Sequence, residues 1–251
     1  MEQQVTATEA NDAEQQDLEI PPVHPIVHPF FEQDGITIFH GRCEDVLPML
    51  DVREMTMISD PPYGIDAVLG MGGGGKGDGG MWRGVAIHGD GDTTLRDWAC
   101  EQFDSWAVFG SPRRSSPPAT KAVVCWDKGE HTGAGDLRLP WKPSFELVFI
   151  GGDDWRHDRR GGGVVKCNAI AGCVGNRNSG HRFHPFEKPV QIMRHFVERC
   201  SRAVCDPFAG SGTTLVAAKL AGRRAVGIEI EERYCEIAAN RLRQGVLPFV
   251  G

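Results

Sequence analysis

The run "RAVCDPFAGSGTTLVAAKLAGRRAVGIEI", residues 202–230, decides the fold. Residues 202–208 read as a buried strand that stops at a proline. "AGSGTTLVAAKLAG" (209–222) is a glycine-rich turn opening a helix that closes on Gly222. "RRAVGIEI" (223–230) is a second strand, with Glu229 near its end. Strand, Gly-x-Gly turn, helix, strand and acid make a β-α-β unit with the parts of a nucleotide cradle. The glycines let a ligand approach the backbone, the helix start offers unpaired N–H groups, and the acid can accept bonds from ribose hydroxyls. The turn is not a P-loop, because no lysine follows its second glycine, and "GSGTTL" lacks the third glycine of the dinucleotide pattern.

Working outward, "EMTMISD" (54–60) is apolar at nearly every position, as strands buried on both faces are. It ends abruptly in "SDPPYGID" (59–66). Prolines stop a strand, so Asp60, Pro61, Pro62 and Tyr63 form a rigid corner at the carboxyl edge, where open α/β sheets bind ligands. "GITIFHGRC" (35–43), "SWAVFGS" (105–111), "KAVVCWDKG" (121–129) and "SFELVFIGG" (144–152) read as further strands. "EDVLPML" is a helix turn, and "LRDWACEQF" (95–103), the stretch after Pro189, and "EERYCEIAANRLRQ" (231–244) read as helices. The glycine-rich residues 66–92 leave directly from the corner and read as a mobile loop over it. The fold class expected is α/β with a mostly parallel central sheet.

Net charge is −7. Residues 1–41 hold eight acids and no Lys or Arg, which leaves 27 basic against 26 acidic residues in 42–251. The acidity thus belongs to the leader, and the rest is compatible with a polyanionic partner. Residues 1–34 read as an acidic disordered leader followed by a proline-punctuated extended connector. No run approaches the length of a membrane span, and no secretory signal is apparent, so a cytoplasmic chain is expected. Eight scattered cysteines form no Cys-x-x-Cys pair, which suits reduced thiols. Cys167, Cys173, His181 and His184 match no standard zinc spacing, so no metal is expected.

"DPPY" (60–63) together with "DPFAGSGTT" (206–214) resembles the amino-group class of S-adenosylmethionine-dependent DNA methyltransferases. "ITIFHGRCEDVLPML", "AVVCWDKG", "ELVFIG", "HPFEKP" (184–189) and "RRAVGIEIEERYCEIAANRL" resemble further stretches of that family, over roughly residues 35–244. The corner comes first and the cofactor turn last, the order of the family's circularly permuted beta arrangement. The resemblance implies a Rossmann-like methyltransferase fold over 35–251 and S-adenosyl-L-methionine as cofactor. It also implies double-stranded DNA as partner and methyl transfer to the exocyclic N6 of adenine. Asp60 and the Pro61 carbonyl would accept the amino N–H bonds, with Pro62 fixing the corner and Tyr63 stacking on a flipped base. Phe208, Ala209, Gly210, Ser211, Gly212 and Thr213 would form the cofactor cradle. Asp206 would orient it, Glu229 would hold the ribose, and Lys188 and His184 would lie near the methionine end.

The segment 151–186 occupies the place of the family's target-recognition element. Its Arg156, Arg159, Arg160, Lys166, Arg177 and Arg182 are the expected DNA contacts, with Arg113 and Arg114 as the alternative. The chain departs from the family at "GRC", where relatives carry Gly-Asp-Cys, so Arg42 stands in place of an acid. Cytosine-N4 methylation, action on RNA, and a non-catalytic nucleic-acid-binding relative are the competing readings. A homodimer, and a partner endonuclease in a restriction-modification system, stay open.

Overall fold

Strands that are buried on both faces need helices above and below them. The computed structural model describes residues 28–62, 91–129, 140–141, 144–168 and 187–244. In chain order these form β1 (Phe31–Gln33), β2 (Ile36–His40), α1 (Cys43–Val46), β3 (Met55–Ser59), α2 (Thr94–Glu101) and β4 (Trp106–Gly110). There follow β5 (Ala122–Asp127), β6 (Phe145–Gly151), β7 (Val164–Lys166), α3 (Val190–Val197), β8 (Ala203–Asp206), α4 (Thr213–Leu220), β9 (Ala225–Glu229) and α5 (Glu232–Arg243). The described strands make one sheet in the order β1-β2-β9-β8-β3-β4-β6-β5-β7.

The helices α3, α4 and α5 cover one face, where Phe196, Leu215, Ala218, Ala238 and Leu242 are buried against Ile58 and Val204. On the other, α1 and α2 bury Val46, Leu47, Ala99 and Phe103 against Met57 and Val108. Strands β2, β9, β8, β3 and β4 run parallel, and β6 lies antiparallel between β4 and β5. From β8 the chain crosses through α4 to β9 on one side, whereas from β3 it crosses through α2 to β4 on the other. The chain therefore diverges between two neighbouring strands, which opens a crevice at their carboxyl ends. The corner at Asp60 and the glycine-rich turn after Asp206 both sit there, although 146 residues separate the two acids.

Two elements differ from the sequence reading. The leader and connector were expected to run to residue 34, but the sheet begins at Phe31, which is buried and pairs antiparallel with Ile38. Asp34 and Gly35 have φ of 53° and 76°, the geometry of a two-residue Asp-Gly hairpin turn. No strand was expected within 153–186, yet Val164–Lys166 pair parallel with Cys125–Asp127. The strand β7 is only three residues long and its Val164 is exposed, so it carries little hydrophobic signal. Residues 1–27 and the glycine-rich 66–90 lie outside the described residues.

The register also fixes which way 151–160 points. Gly151 pairs with Trp106, the first residue of β4, so the chain leaves β6 at the amino edge of the sheet, opposite Asp60. There Asp154 accepts hydrogen bonds from the Thr56 hydroxyl, from Ser201 N (3.1 Å) and from Arg202 N (3.0 Å). It thereby ties the starts of β3 and β8 to the bend after β6. Burial works against its charge, but these donors outweigh that and hold its pKa below the ordinary carboxylate value. We expect Asp154→Ala to cost about 1–3 kcal/mol of stability, since three donors lose their acceptor. Urea denaturation of the two proteins checks this.

Candidate active site

The proline corner is positioned by β3. Ser59, its last residue, pairs with Val108 of β4, and Asp60, Pro61 and Pro62 follow at the carboxyl edge. Proline has no backbone N–H, so neither residue can continue the ladder. Ser59 also donates its hydroxyl proton to Asp206 Oδ1 at 2.5 Å, across to the end of β8. The two motifs are thus in direct contact through the residue next to Asp60.

Asp60 Oδ2 lies 2.8 Å from Lys188 Nζ. The same ammonium is 3.2 Å from Glu146 Oε2 of β6, and Glu146 Oε1 is 3.0 Å from Lys128 Nζ. Lys188 is buried, with its Nζ 5.3 Å from the centre of the Phe109 ring. Burial pushes the Lys188 pKa down, but Asp60 and Glu146 more than reverse this, so the ammonium stays protonated. Desolvation likewise raises the Glu146 pKa, and Lys188 and Lys128 bring it below its ordinary value. The result is an alternating chain of charges, Asp60–Lys188–Glu146–Lys128, at the mouth of the crevice.

The residue before Lys188 makes the other connection. Glu187 pairs with Arg241 of α5 at 2.8 Å, and both side chains are largely buried. Arg241 Nη1 donates to the Ser211 carbonyl (2.8 Å), the Ser211 hydroxyl (3.1 Å) and the Thr213 hydroxyl (3.3 Å). Thus Glu187 braces the glycine-rich turn through Arg241, while Lys188 holds the corner.

Within the turn, Phe208 N donates to Asp206 Oδ1 (3.1 Å), Ala209 N to the Ile228 carbonyl (2.9 Å) and Gly212 N to the Ala209 carbonyl (2.8 Å). Glu229 is buried, and its two carboxylate oxygens accept from Gly210 N and Glu231 N, each at 2.8 Å. Glu229 therefore first holds the turn against β9. Burial raises its pKa, with the two N–H groups opposing. The glycines differ in role. At Gly210 a Cβ would meet nothing within 4 Å, so its backbone faces open space. At Gly212 (φ 79°) a Cβ would lie 2.7 Å from Ala238 Cβ, so this glycine lets α5 approach α4.

Asp60, Pro61, Pro62, Lys188, Asp206, Phe208, Ala209, Gly210, Ser211, Gly212, Thr213 and Glu229 thus line or support one crevice. Tyr63, His184, Arg177 and Arg182 lie outside the described residues, as do Cys173 and His181. Arg42 pairs with Glu44 at 2.6 Å in the first turn of α1, so an acid of this chain neutralises the unexpected base. Arg156, Arg159 and Arg160 are not at the crevice. Arg156 pairs with Asp158 (2.7 Å) and Arg159 with Glu198 (3.6 Å) at the amino edge, about 15 Å or more away at the rise of a five-residue strand. The sequence reading named them as DNA contacts, and the fold puts them on the edge of the sheet opposite Asp60. Lys166, at the carboxyl end of β7 beside Asp127, is on the crevice side. Sequence reasoning missed Glu146, Glu187 and Arg241. Only the fold shows that the three face the corner and the turn.

A family model described as DNA methylase matches residues 104–240, more than half of the chain. This α/β protein, with its glycine-rich crevice beside a proline corner, belongs to the DNA methylase family. The YubD protein of Escherichia coli (strain K12), which bears the name of a methylase, is 46% identical over 128 residues, 48% of this chain and 55% of YubD. Type II methyltransferase M2.LlaDCHI of Lactococcus lactis subsp. cremoris is 42% identical over 65 residues, 25% of this chain and 24% of that protein. The chain thus matches about half or less of the length of these relatives. Among solved structures, M1.HpyAVI in complex with SAM superposes with a TM-score of 0.58 at 19% identity, covering 83% of this chain and 99% of the other. The cytosine-N4-specific PvuII DNA methyltransferase gives 0.57 at 13%, covering 84% and 88%. At such identities the likeness is one of fold.

Three substitutions test the site's construction. Burial raises the Asp206 pKa from 3.8 to about 6, against the bonds from Ser59, Thr214 and Phe208. An acid with a raised folded pKa binds extra protons in the folded state between those two values, so it opposes folding above about 6, and this penalty fades toward pH 4. Asp206→Asn should remove that component, and the variant's stability relative to wild type should be greater at pH 7 than at pH 4.5. Denaturation at both pH values checks this. Gly212→Ala should destabilise by about 1–3 kcal/mol, through strain at positive φ and overlap with Ala238. Gly210→Ala should cost less, and thermal melting of the pair checks the difference.

Proposed function

We propose that the chain is an S-adenosylmethionine-dependent DNA methyltransferase acting on the exocyclic N6 of adenine. The observation that carries this reading is the contact between the proline corner and the glycine-rich turn through Ser59 and Asp206. It puts a carboxylate and a rigid carbonyl beside a cradle with open space over Gly210. The order of the motifs, corner before cradle, supports the permuted arrangement.

The residues present fit the cofactor. Gly210 leaves room for close approach, and Phe208 is partly exposed beside it. Each Glu229 oxygen uses one lone pair on a backbone N–H, and the remaining pairs suit ribose hydroxyls. S-adenosylmethionine supplies a methyl group on a sulfonium, an electrophile that needs no further activation. What the protein must supply is a nucleophile, because the base amino lone pair is delocalised into the ring. The Asp60 carboxylate and the Pro61 carbonyl accept its two N–H bonds and so favour a pyramidal nitrogen. With S-adenosylmethionine in the cradle, its sulfonium would supply the methyl group to that nitrogen, and the displaced amino proton would pass to the Asp60 carboxylate that accepts its N–H bond, or from there to water. Lys188 orients Asp60 from its far side and keeps the carboxylate in place through its own bond to Glu146.

The base must leave the duplex to reach the corner, at a cost of a few kcal/mol, and Tyr63, the residue after the two prolines in the sequence, is the proposed stacking partner. DNA contact falls to Lys166 and the segment leading to "HPFEKP", with Arg177 and Arg182. Cytosine-N4 transfer is the second reading, favoured by the fold shared with the PvuII enzyme. The acid at the first corner position favours adenine. A cytoplasmic enzyme is the corresponding setting.

The test is incubation with labelled cofactor and DNA of varied sequence, with chromatography of the digested nucleosides. N6-methyladenine is expected, N4-methylcytosine would select the second reading, and no transfer with no cofactor binding would overturn both. Asp60→Ala should lower turnover by about 100–1,000-fold while cofactor affinity stays within about tenfold, because its bonds strengthen in the transition state. Tyr63→Phe should be mild and Tyr63→Ala severe.

A further inference from the structure

Several basic side chains at both edges of the sheet are paired: Arg53 with Asp104, Lys121 with Asp153, Arg156 with Asp158 and Arg159 with Glu198 at the amino edge, and Arg42 with Glu44 and Lys188 with Asp60 at the carboxyl edge. One turn at the carboxyl edge differs. There β4 ends at Gly110 and the chain enters a tight turn, in which Ser111 Oγ accepts from Arg113 N (3.2 Å) and Ser111 O from Arg114 N (3.2 Å). Both arginines are exposed, and neither guanidinium makes an ion pair or hydrogen bond with a described residue. The nearby acid is Asp92, whose carboxylate accepts from Thr94 N at 2.8 Å.

Register places this turn beside the corner. Ser59 of β3 faces Val108, so two residues later Pro61 stands level with Gly110 and the turn begins at the next residue. Its base is clamped. Arg96 of α2 is fully buried and donates through Nη2 to the Ser115 carbonyl (2.9 Å) and through Nε to Asp97 (2.8 Å). Its Nη1 is buried without a hydrogen-bond partner. A buried guanidinium left partly unsatisfied is an unfavourable way to hold a passive surface loop. It suits a turn whose position matters.

We infer that Arg113 and Arg114 form a phosphate clamp that grips the DNA backbone next to the base held at Asp60, with Arg96 as the residue that positions it. This rests on the reading of the chain as a DNA methyltransferase. Two adjacent exposed guanidiniums, one strand from the corner and with Asp92 near Arg114 but not bonded to it, present the planar fork that suits phosphate oxygens. They carry no base readout, so they add affinity and register, and sequence choice stays elsewhere.

The test compares wild type with the Arg113→Ala/Arg114→Ala double variant, in binding to a fluorescently labelled duplex at several salt concentrations. Released counterions make the logarithmic salt slope scale with the number of phosphates contacted. The double variant should therefore bind about tenfold or more weakly, with a slope shallower by about two units. S-adenosylmethionine affinity and melting temperature should not move, and methyl transfer at saturating DNA should fall less than transfer at low DNA. Arg156→Ala/Arg159→Ala should keep the wild-type slope. A double Arg113/Arg114 variant with wild-type slope, or a loss of slope in the Arg156/Arg159 variant instead, overturns the clamp while leaving the methyltransferase reading intact. Wild type that binds cofactor but no duplex overturns both.

Discussion

The crevice depends on one buried ammonium. Lys188 is taken out of water, which alone would favour its neutral form, and it remains charged because Asp60 and Glu146 approach it from two strands. Its partners need it equally: without Lys188, a carboxylate of β6 and the corner acid would face one another across a poorly solvated gap. Breaking such a pair by removing one partner is far more damaging than never having built it. The geometry of the corner is therefore set by charge balance as much as by proline stiffness. That balance holds only if β3, β4 and β6 stay in register.

Much of the architecture was legible in the sequence. The β8–α4–β9 unit announced itself through an apolar run, a Gly-x-Gly turn, a closing glycine and a terminal acid, all local features. The corner was readable because proline acts on its own backbone. What was not readable was anything decided by register. The segment 151–160 looked like a basic DNA-facing loop, and only the antiparallel placement of β6 shows that it starts at the amino edge. Likewise β7 and β1 are three-residue strands, too short for periodicity to show.

The site residues divide in the same way. Asp60, Asp206 and Glu229 sit at strand ends, where sequence patterns point to function. Glu146, Glu187 and Arg241 are an ordinary strand acid, a residue before a lysine, and a helix base in isolation. Their importance comes from convergence on the crevice. Glu229 was expected to hold a ribose; the fold adds that it fastens Gly210 to β9 and so shapes the cradle.

The adjacency of Glu187 and Lys188 has an evolutionary consequence. Successive residues on one short stretch brace the two halves of the crevice, one through Arg241 to the turn and the other directly to the corner. Any backbone shift there is felt by both halves at once, with no slack residue between them. Substitutions near the cradle and near the corner should therefore show epistasis even though they lie on different strands. A lineage changing the base it accepts would have to change this stretch in concert with the cofactor side, or leave it alone.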